Sequence, residues 1–178
     1  LAMVLDAEKS GLLKPGGMLV EPSAGNMGVS LGMVAAAKGY DLHVVMPEGV
    51  PLERRRLLTR YGAAIHLTPS TMGMNGATIA AKRMLSRDSR YVRLDQFTNP
   101  TVVRAHKEGT AREIIDAVDA AIDGFVVGVG TGGTLTGVGE ALKEARSFTL
   151  TVAVEPSTSQ ILNMGREGEH GIVGIGAD

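Results

Sequence analysis

An α/β fold with parallel strand pairing is predicted for this chain by two observations. Short apolar strands alternate with helical-period segments along the whole length, the pattern of parallel sheets joined by right-handed crossovers. Two of those strands run straight into glycine turns that open helices, at 23–28 and 130–134. In sheets of this class ligands sit at the carboxyl ends of the strands, where these turns lie.

The elements follow in order. Leu1 to Leu13 has helical period and ends before "KPGG". "MLVE" reads as a strand, and "PSAGNMG" as a turn opening a helix through Val29, Leu31, Met33 and Val34. "DLHVVM" is a strand. The next helix has Pro51 suited to its first turn and Gly62 suited to its end. "AAIHLT" is a strand, "STMGMNG" a loop, "ATIAAKRML" a helix and "YVRL" a short extended piece. "DQFTNP" follows, and the break most like a domain boundary lies in "FTNPT", near Asn99-Pro100. That division assigns 1–98 to an N-terminal lobe and 99–178 to part of a C-terminal lobe, with both glycine turns facing one ligand. A helix is expected around Glu113 to Ala121, then the strand and helix of "GFVVGVGTGGTLTGVG", the strand "LTVAVE", and a loop ending in "GIVGIGAD".

Bulk properties narrow the function classes. The net charge is −1 with no basic block, so nothing points to nucleic acid or an anionic membrane surface. No apolar run is long enough to span a bilayer, and the first residues carry acids rather than a basic region, so they do not read as a signal peptide. With no cysteine, disulfides, thiolate catalysis and cysteine metal sites are excluded, which fits a cytoplasmic protein. His43, His66, His106 and His170 are scattered without metal-ligand spacing, so no metal is expected.

The stretch from Gly124 to Gly139 carries the most chemistry. Phe125, Val126, Val127 and Val129 form a buried-strand run, and from Thr134 the period becomes helical through Leu135, Val138 and Leu142. The first-turn N–H groups of such a helix lack internal partners and, with the helix dipole, make an anion site. Three readings are open. Gly128, Gly130 and Gly133 match G-x-G-x-x-G, with Glu155 22 residues beyond Gly133, as in a dinucleotide fold. Alternatively, Gly130-Thr131-Gly132-Gly133-Thr134 is a compact cup with two hydroxyls, suited to a terminal phosphate. The third is a tight strand–helix turn that holds nothing. In the other turn, Asn26 can donate and accept, Ser23 adds a hydroxyl, and the N–H groups of residues 24 to 28 could hold a carboxylate. A capped helix start explains the same residues.

"VEPSAGNMGVSLGMVAAAKGY", "MPEGVPLERRRLLTRYGAAIHLTP", "QFTNP", "GVGTGGTLTGVG" and "VAVEP" occur in this order. Together they strongly resemble the cysteine synthase and cystathionine β-synthase family of pyridoxal-phosphate enzymes, with its tryptophan synthase β-like fold (fold type II). The resemblance runs over essentially the whole chain and covers roughly the middle of the longer chain usual in the family. It implies three-layer parallel-sheet lobes truncated at both ends, pyridoxal 5'-phosphate as cofactor, a small amino-acid substrate and a homodimer. It also implies roles for single residues. Gly130, Thr131, Gly132, Gly133 and Thr134 are the cofactor's phosphate cup; Asn26 hydrogen-bonds its phenolic oxygen; Gly174, in "GIVGIGA", lies at the mouth of the site. Ser23, Ala24, Gly25 and Met27 grip the substrate carboxylate, and Gln96 and Phe97 line the same pocket, though plain core packing is the competing reading for Phe97. Glu155 then becomes a strand-end residue of local structural use.

The sequence departs from the family in three places. The usual Thr-Ser-Gly-Asn-Thr loop reads Ser23-Ala24-Gly25-Asn26-Met27, which loses hydroxyls at Ala24 and Met27 and leaves fewer side-chain donors for the substrate carboxylate. Thr-Gly-Pro-Glu-Ile reads Thr110-Ala111-Arg112-Glu113-Ile114, a milder change. The Schiff-base lysine lies, in the family, in a Ser-x-Lys-Asp-Arg motif before the helix that begins this chain; Lys9, Lys14, Lys38, Lys82, Lys107 and Lys143 do not fit it. The serine that partners the pyridine nitrogen falls after residue 178 in the family. The expected reaction of the parent enzyme is β-replacement on an O-activated serine, most simply cysteine from O-acetylserine and sulfide, with the chain as given inactive. The alternatives are a cystathionine β-synthase-type enzyme and a catalytically dead α/β binding module.

Overall fold

The computed structural model describes residues 1–176; Ala177 and Asp178, which end the "GIVGIGAD" segment, lie outside the described residues. The chain divides into two compact units, Leu1–Asp95 and the residues from Gln96 onward.

The first unit is a four-stranded, wholly parallel sheet in the order β3-β2-β1-β4. Its strands are β1 (Met18–Pro22), β2 (Asp41–Pro47), β3 (Ala64–Thr68) and β4 (Tyr91–Val92). The central strands read "MLVEP" and "DLHVVMP", apolar on both faces, as a sheet covered on both sides requires. One face, with Leu19, Leu42, Val44 and Met46, packs on α1 (Ala2–Lys9), α2 (Asn26–Lys38) and α3 (Leu52–Arg60) through Val4, Leu31 and Leu58. The other, with Val20 and Val45, packs on α4 (Gly73–Arg87) through Ala77 and Ala81.

Two expectations are corrected here. The first helix stops at Lys9 rather than Leu13: Gly11 turns left-handed, and Leu13 leaves the helical period to enter the core. "STMGMNG" is not a loop but a 3-10 turn, Ser70–Met72, leading directly into α4 at Gly73. Its glycines suggest a loop, but Gly76 and Ala77 are buried, and small residues let that helix lie close to the sheet.

The second unit holds a parallel pair, β5 (Gly124–Gly128) and β6 (Leu150–Val154). Around it lie α5 (Pro100–Ala105), α6 (Ala111–Ala117), α7 (Gly133–Ala145) and a short α8 (Ile161–Met164). The helix expected around Glu113 to Ala121 instead starts at Pro100, passes through a π turn at His106–Thr110 and ends at Ala117, where Val118 turns extended. The Asn99 side chain accepts from the Thr101 N–H at 3.0 Å with Pro100 in the first turn, so the residues that suggest a boundary are the cap of a helix. No helix among the described residues is long and apolar enough to cross a membrane.

Candidate cofactor-binding site

β5 delivers the chain into the glycine turn, and the Val129 N–H donates to the Val154 carbonyl at 2.9 Å, which extends the β5–β6 pairing by one step. Gly132 then takes the left-handed conformation (φ +83°), open to glycine at no steric cost, and α7 begins at Gly133. The first-turn N–H groups of α7 therefore point out of the turn with no intrahelical partner. Thr131 is exposed, so its hydroxyl lies at the surface of the turn.

Gly174 belongs to the same place. The Gly176 N–H donates to the Val129 carbonyl at 2.8 Å, and a Cβ on Gly130 would stand 2.5 Å from the Gly174 carbonyl oxygen. Gly174 and Gly176 thus lie against the strand-to-turn junction, and only a residue without a side chain fits at Gly130.

The structure adds a residue that sequence reasoning missed. His106 Nε2 stands 3.3 Å from Thr134 Oγ1, and its Nδ1 stands 3.0 Å from Thr110 Oγ1. A π turn shifts side-chain directions within a helix, and here it places His106 against the opening of α7. A lone histidine inside an unpredicted helix carried no sequence signal beyond the helix-start pair Asn99-Pro100.

Glu155 has a different task from ribose binding. Its carboxylate accepts the N–H groups of Leu162 (2.8 Å) and Asn163 (3.0 Å), in the first turn of α8. Both oxygens are used, so the dinucleotide reading loses its acid.

In the first unit, the β1–α2 turn is built from Ser23 to Met27. The Ser23 N–H donates to the Val45 carbonyl, and the buried Ser23 hydroxyl accepts the Gly28 N–H at 2.9 Å. That hydroxyl serves the helix start, as a cap does. The Arg54 guanidinium donates to the Ala24 carbonyl, which fixes the turn against α3. Asn26 is exposed; Gly25 is half-buried; Met27 is half-buried and packs against the core beside Ala24. Gln96 is half-buried and Phe97 is 51% exposed, so Phe97 is not a core residue. A cavity of about 810 Å³ is lined by Glu167 to Gly171 and includes no residue of either glycine turn. His43 and His66 meet across neighbouring strands at 2.8 Å with Tyr91 edge-on; among the described residues no group of three or more metal-ligating side chains stands together.

The model of the pyridoxal-phosphate-dependent enzyme family matches residues 1–175. The chain belongs to that family. Cysteine synthase A of Salmonella typhi is 46% identical over 184 residues, and cysteine synthase of a Flavobacterium species is 42% identical over 177. These alignments cover 98% and 99% of this chain but 57% and 58% of the relatives, so the chain spans little more than half their length. Among solved structures, O-ureido-L-serine synthase superposes with a TM-score of 0.93 at 43% identity, covering 98% of this chain and 55% of that one. Cysteine synthase from Entamoeba histolytica gives 0.93 at 38%, covering 98% and 52%. The mixed α/β fold with parallel sheets is that of the cysteine synthases, and the cofactor of the family is pyridoxal 5'-phosphate. The residues present suit that cofactor: a left-handed glycine stands at a helix N-terminus with a threonine on either side of the Gly132-Gly133 pair, donors of the kind a terminal phosphate takes.

Proposed function

We propose that this chain is the cofactor- and substrate-gripping part of a pyridoxal-phosphate enzyme that replaces the β-substituent of an O-activated serine, with O-acetylserine and sulfide giving cysteine and acetate. The observation that carries the reading is the Gly130–Thr134 turn, with His106 against the Thr134 hydroxyl and the Gly174 carbonyl against Gly130. In this reading the second unit binds the phosphate through the N–H groups that open α7 and through the hydroxyls of Thr131 and Thr134. His106 holds the Thr134 hydroxyl in place. The first unit supplies Asn26 for the phenolic oxygen and the N–H groups of Ala24 to Met27 for the substrate carboxylate; Gln96 and Phe97 take the substrate-binding roles that the family resemblance gives them. When bound, pyridoxal phosphate supplies an electron sink at the substrate α-carbon. The carboxylate grip orients the amino acid, acetate leaves with the Cβ–O electron pair, and a sulfide lone pair forms the Cβ–S bond.

None of the six lysines lies in a Ser-x-Lys-Asp-Arg motif; Lys38 pairs with Glu8, and Lys107 with Glu140 and Glu144. We therefore read the 178 residues as able to bind but not to turn over without a lysine-bearing segment. A cytoplasmic homodimer is part of the same reading. Ala24 and Met27, which lack the hydroxyls of the usual loop, favour a second donor: a serine with a larger, more apolar O-substituent, against which Met27 can pack.

The test is to assay the complete enzyme with O-acetylserine and sulfide, with serine and homocysteine, and with a serine carrying a larger O-acyl group, beside the 178-residue chain. Cysteine formation by the complete enzyme alone is the expected result. Preference for homocysteine would move the reading to a cystathionine β-synthase type. Absence of both turnover and cofactor binding would leave an α/β binding module.

A further inference from the structure

Glu21 is the buried charged side chain that the proposed function leaves unused. It lies on β1, two residues before the Ser23–Met27 turn, and is 1% exposed. The β1–β4 ladder covers only Met18↔Tyr91 and Leu19↔Val92. Beyond it the chain of residues 93–95 leaves the strand. The Glu21 carboxylate replaces the missing main-chain partner: its Oε2 accepts the N–H groups of both Leu94 and Asp95, each at 3.3 Å. Asp95 is held there in the left-handed region (φ +50°), among the described residues the one non-glycine residue with positive φ. That conformation is costly for a residue with a side chain and persists where its surroundings over-determine it. Arg93 completes the arrangement, with Nε 3.9 Å from Glu21 Oε1 and Nη2 3.2 Å from Asp95 Oδ1. The next residue is Gln96.

We propose that Glu21 is a positioning residue, whose carboxylate ties the base of the Ser23–Met27 turn to the left-handed bend at Asp95 and so sets the geometry with which the enzyme grips the substrate carboxylate. The proposal rests on the reading of Ser23–Met27 as the substrate loop. The chemistry required is acceptance of two N–H bonds by one oxygen, not charge. A glutamine can supply that oxygen in the same place, whereas a methionine fills the same volume and removes the acceptor that both N–H groups share.

The experiment compares Glu21→Gln and Glu21→Met in the complete enzyme, with O-acetylserine as the probe, and follows amide hydrogen exchange in both. Glu21→Gln is expected to stay within about threefold of the parent KM. Glu21→Met is expected to raise KM tenfold or more with kcat within about threefold, since loss of one hydrogen-bonded anchor is worth on the order of 1–3 kcal/mol and 1.4 kcal/mol is tenfold. Protection of the Leu94 and Asp95 amides should fall in Glu21→Met, while that of Val44 and Val45 in the neighbouring strand stays. Equal KM values for Glu21→Met and the parent would overturn the proposal. So would equal damage by both substitutions, or fast exchange of the Leu94 and Asp95 amides in the parent, which is decisive even if Glu21→Met does not fold. A parent enzyme that neither binds nor converts O-acetylserine would instead refute the functional reading, and the exchange comparison would still decide the anchor.

Discussion

Gly132 stands at φ +83° with nothing within 4 Å of where a Cβ would be, so a side chain there costs backbone strain and obstructs the cup rather than clashing with the fold. A left-handed non-glycine residue costs about 1–2 kcal/mol. Gly132→Leu is therefore expected to abolish retention of pyridoxal phosphate through equilibrium dialysis, and Gly132→Ala to weaken it about tenfold. Unchanged retention in the leucine variant would show that the phosphate is held elsewhere. Met27 raises the opposite question, because its side chain replaces a donor with bulk. It packs against the core beside Ala24, so its first role is to fill space. In the complete enzyme, Met27→Thr restores a donor whose loss costs roughly 1.5–3 kcal/mol, and should tighten O-acetylserine about tenfold or more. It should weaken donors with a larger apolar β-substituent. Dissociation constants for both kinds of donor, read spectroscopically, decide the matter: an equal response means that Met27 does not select substrate.

At the scale of elements, β1 carries a titration that spans strand and segment. Burial pushes the Glu21 carboxyl up from 4.5 to about 7, with Arg93 and the Leu94 and Asp95 amides pulling it down and the Asp95 charge pushing it up. The folded state thus keeps a proton that the unfolded state releases between about pH 4.5 and 7. Stability from this group is fully present below 4.5 and is lost as pH rises through 7, a change on the order of 3 kcal/mol. Urea unfolding at pH 4.5 and 7.5 should show the parent losing that amount relative to Glu21→Gln; parallel stability profiles for the two would refute it. The helices were less legible than the strands. The pair Asn99-Pro100 is a helix-start signal, yet Val102, Val103 and Gly109 mask the helical period that follows, and a π turn has no period of its own to read. His106 could not be assigned to the cup without it.

For the whole molecule, the two units differ in how well their sheets are covered. The sheet of the first unit is packed by helices on both faces. In the second, Phe125 packs toward Val138 and Leu142, but Val126 (65% exposed) and Leu150 (63%) lie together on the other face of the β5–β6 pair, near exposed Val154. Parallel sheets are ordinarily covered on both faces, and an open apolar strand pair is a site of self-association. Leu150→Lys should therefore lower the light scattering of the purified 178-residue chain at high concentration without changing its helical circular dichroism. Scattering equal to that of the parent would exclude this face as the contact.

Strand positions, the parallel α/β class and both glycine turns were readable because they depend on local period and on glycine at strand–helix junctions. The same residues left the ligand open between a dinucleotide and a single phosphate, and the motif resemblance chose between them. Three things required the folded chain: the Glu155 oxygens spent on α8, the His106 contact with Thr134, and the Gly174 carbonyl against Gly130. Each joins residues distant in sequence through a specific distance. Hydrophobic period records which way a side chain faces, and carries no information about which remote group it meets.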